Sequence, residues 1–177
     1  MSLNRLPRFS FLAWTLLLAA AAFAAEVPRP AGPLEITTMD GRKVSLSDLK
    51  GKPVLVMYFS TDCPHCQAAA TKMAPIYKEL SAKGFEFVGV TLNPTAEGNL
   101  GAFVDKYAVK FPVGLGDRSH FSRFTGLSVM TRFYYPYLAI VDKNGKIVEE
   151  HEGSERAYMD NLSSTLRESL AKVAGGS

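Results

Sequence analysis

Six consecutive apolar residues, Val54 to Phe59, run almost directly into Cys63-Pro64-His65-Cys66, and beyond them Ala69, Met73, Ile76, Tyr77 and Leu80 recur at helical spacing. A run that is apolar on both faces suits a central strand covered on each side by helices. The chain is thereby committed to an α/β arrangement. Cys63 and Cys66 are its only cysteines, so a disulfide within one chain forms only between them. At a strand-to-helix junction the first sulfur lies beside unpaired backbone N–H groups, which favour the thiolate, the reactive form of cysteine. The second lies one helical turn on. The alternative is a purely structural staple.

The N-terminus bears on that choice. Arg5 and Arg8 precede an apolar stretch from Phe9 to Ala25, and Ala22-Phe23-Ala24 offers small residues where a signal peptidase cuts. Residues 1–24 therefore read as a secretory signal peptide, and the mature chain as exported to an oxidising space such as a bacterial periplasm. The stretch is near the lower limit for spanning a bilayer, so an uncleaved anchor is the alternative. Without it about 150 residues remain, enough to bury a core without a staple. Redox work then explains the cysteine pair better than stability does. Loss of Arg5 and Arg8 leaves 18 basic and 17 acidic side chains, a balance that argues against a nucleic-acid partner.

Residues 25–33, rich in proline, read as an extended lead-in, followed by one folded unit over 34–173 and a flexible tail at 174–177. Leu34 to Thr38 and Lys43 to Leu46 flank an Asp40-Gly41 turn and predict a hairpin. Helices are predicted over Cys66 to Lys83, with a kink or break at Pro75, and over Ala96 to Tyr107, with a turn or two from Arg118 to Phe124. Phe85 to Leu92 reads as a strand parallel to the first, and Val109 to Val113 as a short edge strand. Tyr137 to Val141 and Lys146 to Glu150 flank an Asn144-Gly145 hairpin turn. From Ser154 onward, Met159, Leu162, Leu166, Leu170 and Val173 mark one closing amphipathic helix.

This order of elements, with Cys-Pro-His-Cys after a buried strand, resembles the thioredoxin superfamily, in its exported TlpA/ResA-like branch related to the redoxins. The likeness extends to the segment from Asp40 to Pro53, to Lys110-Phe111-Pro112-Val113, and to Pro136 followed by Tyr137 to Val141 and Asp142 to Ile147. It implies a thioredoxin-like α/β fold with a central mixed sheet, helices on both faces and an added N-terminal β-hairpin. It also implies a thiol:disulfide oxidoreductase. Cys63 would attack a substrate disulfide and Cys66 would resolve the mixed disulfide, with no cofactor beyond the pair itself. The partners implied are protein thiols and disulfides, with a redox donor or acceptor protein in solution or at the membrane.

In such proteins the proline before the penultimate strand is cis and lies against the disulfide; Pro136 matches it, an ordinary trans turn being the alternative. The backbone of Tyr135 would then pair with an extended substrate, and the cluster Phe133-Tyr134-Tyr135-Tyr137 either lines a substrate groove or packs around the turn. Pro64 and His65 resemble the dipeptide of strongly oxidising relatives, whereas the scaffold resembles reductants. His65 reads as an electrostatic modulator rather than a metal ligand. Asp62 replaces the aromatic residue usual before the first cysteine and is expected to oppose the thiolate. Ala69 stands where ResA-like reductases carry an acid, and Met57 where thioredoxin proper has its aspartate. Two other functions suit parts of the pattern: a copper-binding protein using both sulfurs and a remote histidine such as His120, and a thiol peroxidase, for which Ser60 three before Cys63 is the motif. His120 and His151 otherwise read as surface residues.

Overall fold

The computed structural model describes residues 26–175; the signal-peptide segment and the last two residues of the tail lie outside them. Strand β4 (Val54–Phe59) occupies the middle of a six-stranded mixed sheet, and none of its residues is more than 1 % exposed. Successive strand residues point to opposite faces. Leu55, Met57 and Phe59 therefore enter one core, and Val54, Val56 and Tyr58 another. On the first face β4 is covered by α1 (Pro64–Ser81), α2 (Ala96–Lys106) and α5 (Leu162–Gly175), which contribute Met73, Ile76, Phe103, Leu166 and Leu170. The second is closed by Phe121 and Phe124 of α3 (Arg118–Thr125) and by Leu34 and Ile36 at the N-terminal hairpin. Burying one such side chain contributes roughly 1.5–3 kcal/mol.

Beside β4, parallel strand β5 (Glu86–Thr91) matches Val54 with Glu86, and antiparallel strand β7 (Tyr137–Val141) matches Val54 with Val141. Strand β6 (Val113–Leu115) extends the sheet beyond β5. On the other side β8 (Lys146–Glu152) pairs with β7 through a bulge at Ile140/Val141. The hairpin of β2 (Glu35–Thr37) and β3 (Lys43–Ser45) is a separate two-stranded sheet, joined to β6 by a bridge between Thr38 and Gly114. This is the expected thioredoxin-like α/β fold with its hairpin extension.

Several elements depart from expectation for identifiable reasons. The lead-in is extended, but Arg29–Pro30 forms β1 and joins the edge of β8. It is held there by the Arg29 guanidinium, 2.5 Å from Glu150 and 2.9 Å from the Thr125 carbonyl. Helix α1 runs on through Pro75; Pro75 and Thr71 are both exposed, so the carbonyl that proline leaves unpaired faces water. The residues Val109, Phe111 and Val113 are buried as the alternation predicts, yet pairing begins only at Val113 because Pro112 has no N–H for a ladder. The closing helix is two: α4 (Arg156–Asp160) ends at Asn161, and Lys72 of α1 caps its last carbonyls at 2.9 and 3.1 Å before α5 begins. Helix α5 reaches Gly175, past the boundary drawn at 173. Among the described residues no helix is long and apolar enough to cross a membrane.

Neither of the two histidines read as surface residues is one. His151 is half-buried, stacked on Tyr158 and 2.7 Å from both Glu149 and Glu155. His120 is only 8 % exposed, with Nδ1 3.1 Å from the Tyr58 hydroxyl and Nε2 3.1 Å from the Glu35 carbonyl. A carbonyl only accepts, so Nε2 carries the proton and Nδ1 accepts from Tyr58. Burial, reinforced by Arg123 and opposed by the Glu35 carbonyl and Asp117, lowers the His120 pKa from its ordinary value. The unfolded chain therefore binds this proton at a higher pH than the folded one. Stability falls as pH drops through the unfolded value, about 6.5, toward the lowered folded value, and is flat with respect to this group above it. Urea midpoints at pH 7.5 and 5 should differ more for the wild type than for His120→Gln; equal pH responses would contradict this.

Candidate active site

At the end of β4 the chain turns through Ser60, Thr61 and Asp62, and α1 begins with Cys63 as its N-cap and Pro64 at its first position. Proline is suited there, since its missing N–H would be unpaired in any case. Both cysteines are free thiols, but they differ in access: Cys63 is half-buried, whereas Cys66 is 0 % exposed. Burial, with a smaller contribution from the neighbouring Cys63, pushes the Cys66 thiol far above its ordinary pKa, against a lowering by the Ser60 backbone. Pro64 and His65 are exposed on the first turn. Only one sulfur of the pair is open to an incoming group.

Asp62 does not stand alone beside Cys63. Its carboxylate accepts hydrogen bonds from Asn93 Nδ2 at 3.1 Å, Thr95 Oγ1 at 2.7 Å and Asn99 Nδ2 at 3.2 Å. Asn93 also accepts from the Thr61 backbone N–H at 3.0 Å, and Thr61 Oγ1 donates to Asn99 Oδ1 at 2.7 Å. The web ties the β4–α1 turn to the β5–α2 connection. Sequence reading missed Asn93, Thr95 and Asn99, although Asn93-Pro94-Thr95 directly after a strand paired with β4 was the available signal. No Asp or Glu is buried among the described residues, and Met57 and Ala69 pack in the same core as Cys66.

Across the sheet order, β7 brings the second half of the site. The Tyr135–Pro136 peptide is cis and Pro136 is buried. The Tyr135 side chain packs in the same cluster as Cys63. Its phenol pKa is raised by burial and, to a lesser degree, by both cysteines, with Arg118 opposing. Tyr137 is not part of the site. It is 3 % exposed in the core of the opposite face, edge-on to Phe121 at 5.0 Å, and its hydroxyl bonds to Glu150. Substrate contact by its side chain is thereby corrected. Of the aromatic cluster, Phe133 stacks on Phe121 at 4.2 Å, while Tyr134 is 66 % exposed.

Tyr134 and Tyr135 line a cavity of about 410 Å³ with His65, Gly153, Arg156 and Met159. A larger cavity, about 550 Å³, lies between the hairpin and α2; neither lining includes a cysteine, but the smaller one reaches His65, which lies between the two cysteines in the chain. Gly153 is a further residue that sequence reading missed. A Cβ there would lie 2.0 Å from the Tyr135 carbonyl oxygen, and the Gly153 N–H donates to the Tyr134 carbonyl at 3.0 Å. Only glycine lets β8 approach the loop so closely.

Comparison with known proteins agrees with this geometry. The redoxin family model matches residues 4–166. Over 130 residues the chain is 27 % identical to the thiol-disulfide oxidoreductase ResA of Bacillus thuringiensis subsp. konkukian, covering 73 % of this chain and 72 % of that protein. It is 30 % identical over 120 residues to the thioredoxin-like protein YneN of Bacillus subtilis, covering 67 % of each. A thiol:disulfide interchange protein of the thioredoxin family from Chlorobium tepidum shares the fold, with a TM-score of 0.66 at 23 % identity over 83 % of this chain and 99 % of that one. So does a thiol:disulfide interchange protein from Bacteroides sp., with a TM-score of 0.66 at 24 % identity over 87 % and 94 %. The chain belongs to the redoxin family of the thioredoxin superfamily and is a ResA-like thiol:disulfide oxidoreductase.

Proposed function

We propose that this protein exchanges disulfides with protein substrates in the periplasm through Cys63-Pro64-His65-Cys66, with no other cofactor. The observation that carries the reading is the unequal exposure of the two sulfurs at one helix N-terminus. Cys63, as thiolate, attacks one sulfur of a substrate disulfide, forming a mixed disulfide and releasing the first substrate thiolate. Cys66 then gives up its proton and attacks Cys63 Sγ, closing the enzyme disulfide and releasing the second thiolate. Two electrons and two protons pass to the substrate; the same steps reversed oxidise a dithiol. The high pKa that burial gives Cys66 keeps it a thiol until the mixed disulfide forms, which makes Cys63 the entering nucleophile.

Tyr135 and Pro136 form the wall against which an extended substrate segment lies, its backbone pairing with that of Tyr135. Pro64 and His65, exposed on the first turn of α1, meet the incoming substrate beside Cys63. Export rests on Arg5, Arg8 and the apolar run to Ala25. Copper binding has less support, since the remote histidine it would add to the two sulfurs, His120, is engaged by Tyr58 and Glu35 in the opposite core. No observation favours the peroxidase.

Cys63→Ser should abolish turnover of a disulfide substrate, while Cys66→Ser should accumulate mixed disulfides detectable on non-reducing gels; full activity in both would overturn the reading. Gly153→Ala should push the Tyr135 carbonyl outward and slow exchange with peptide disulfides by about tenfold or more. Stopped-flow rates unchanged from wild type would show that Tyr135 does not set the substrate's position.

A further inference from the structure

Between Gly126 and Pro136 the chain forms neither helix nor strand, yet this stretch delivers Tyr135 to the dithiol. Its backbone polar groups must find partners elsewhere. Two carbonyls find one side chain. The Arg118 guanidinium donates to the Val129 carbonyl from Nε at 3.3 Å and Nη2 at 3.0 Å, and Nη2 also donates to the Thr131 carbonyl at 2.5 Å. The same guanidinium lies 4.9 Å over the Phe133 ring, and Phe133 stands edge-on to Tyr135 at 5.1 Å.

A second observation is independent of these contacts. Arg118 is the first residue of α3, and the N-cap acid before it, Asp117, is taken up by the His120 backbone N–H at 2.6 Å and has no ion pair with Arg118 among the described residues. A cation is electrostatically disfavoured at a helix N-terminus. Its place in the sequence is thus explained by what it holds and not by the helix that bears it. We propose that Arg118 is a positioning residue: by forking across Val129 and Thr131 and covering Phe133, it fixes the loop that presents Tyr135 to polypeptide substrates. The inference rests on the dithiol reading above. Arginine is specifically required, because its planar fork spans two carbonyls and stacks on a ring at once, and a lysine ammonium cannot do both.

The effect should fall on substrates that touch the loop and spare those that touch only the sulfur. Reduced wild type, Arg118→Met and Arg118→Lys are each mixed with a disulfide-linked peptide over a range of concentrations, and separately with a small aromatic disulfide. Arg118→Met should raise the half-saturating peptide concentration about fivefold, the scale of one ordinary hydrogen bond lost. Its rate with the small disulfide should stay within about twofold, since Cys63 itself is untouched. Arg118→Lys should fall between the two. An unchanged peptide dependence in Arg118→Met, or an equal loss on both substrates, overturns the role. A wild type that exchanges with neither substrate overturns the dithiol reading and this inference with it, a result distinguishable from normal wild-type exchange with an indifferent Arg118→Met.

Discussion

Strand β4 cannot show a side chain to water on either face, and that constraint shapes the molecule around it. Three helices must cover Leu55, Met57 and Phe59, and α3 with the hairpin must cover Val54, Val56 and Tyr58. A strand enclosed in this way can meet solvent only at its ends. Its C-terminal end is where the backbone leaves the ladder, turns through Thr61 and Asp62, and starts α1 with Cys63 as the cap. The position of the more accessible sulfur is therefore a consequence of core packing. So is the contrast with Cys66, which faces back into the first core one turn later.

What could be read from the chain alone follows the same logic. β4, α1 and the turn glycines announce themselves through patterns a few residues long, and these the sequence carries openly. Contacts across the fold are less legible. Tyr135 and Tyr137, two apart, would share one face of a continuous strand. The strand begins only at Tyr137, so Tyr135 escapes the alternation and reaches the cysteines while Tyr137 enters the opposite core. Pro112 likewise moves the start of β6 without disturbing the buried pattern around it. The break between α4 and α5 is stabilised by Lys72, 87 residues from Met159 in sequence, a partner no local window contains.

Asp62 shows what a short stretch of sequence leaves out around a charge. Beside Cys63 on paper it is an acid opposing a thiolate. In the fold, three donors from Asn93, Thr95 and Asn99 converge on its carboxylate. Oriented hydrogen bonds of this kind fix a carboxylate in place without removing its charge. The acid thus works as an anchor for the turn, and the amide and hydroxyl side chains that receive it lie more than thirty residues away.

The site as a whole sits where regular structure stops, and side chains supply what secondary structure does not. On one side the Asp62 web joins the β4–α1 turn to α2. On the other, Arg118 ties the approach to Pro136 to the start of α3. Between them Gly153 allows β8 to close on the Tyr134 and Tyr135 backbone. Each brace joins an irregular segment to an element whose own position is set by the two cores. The two cysteines and the Tyr135–Pro136 wall are therefore held by the sheet without being part of it, and in the proposed exchange a substrate would meet a surface already in place.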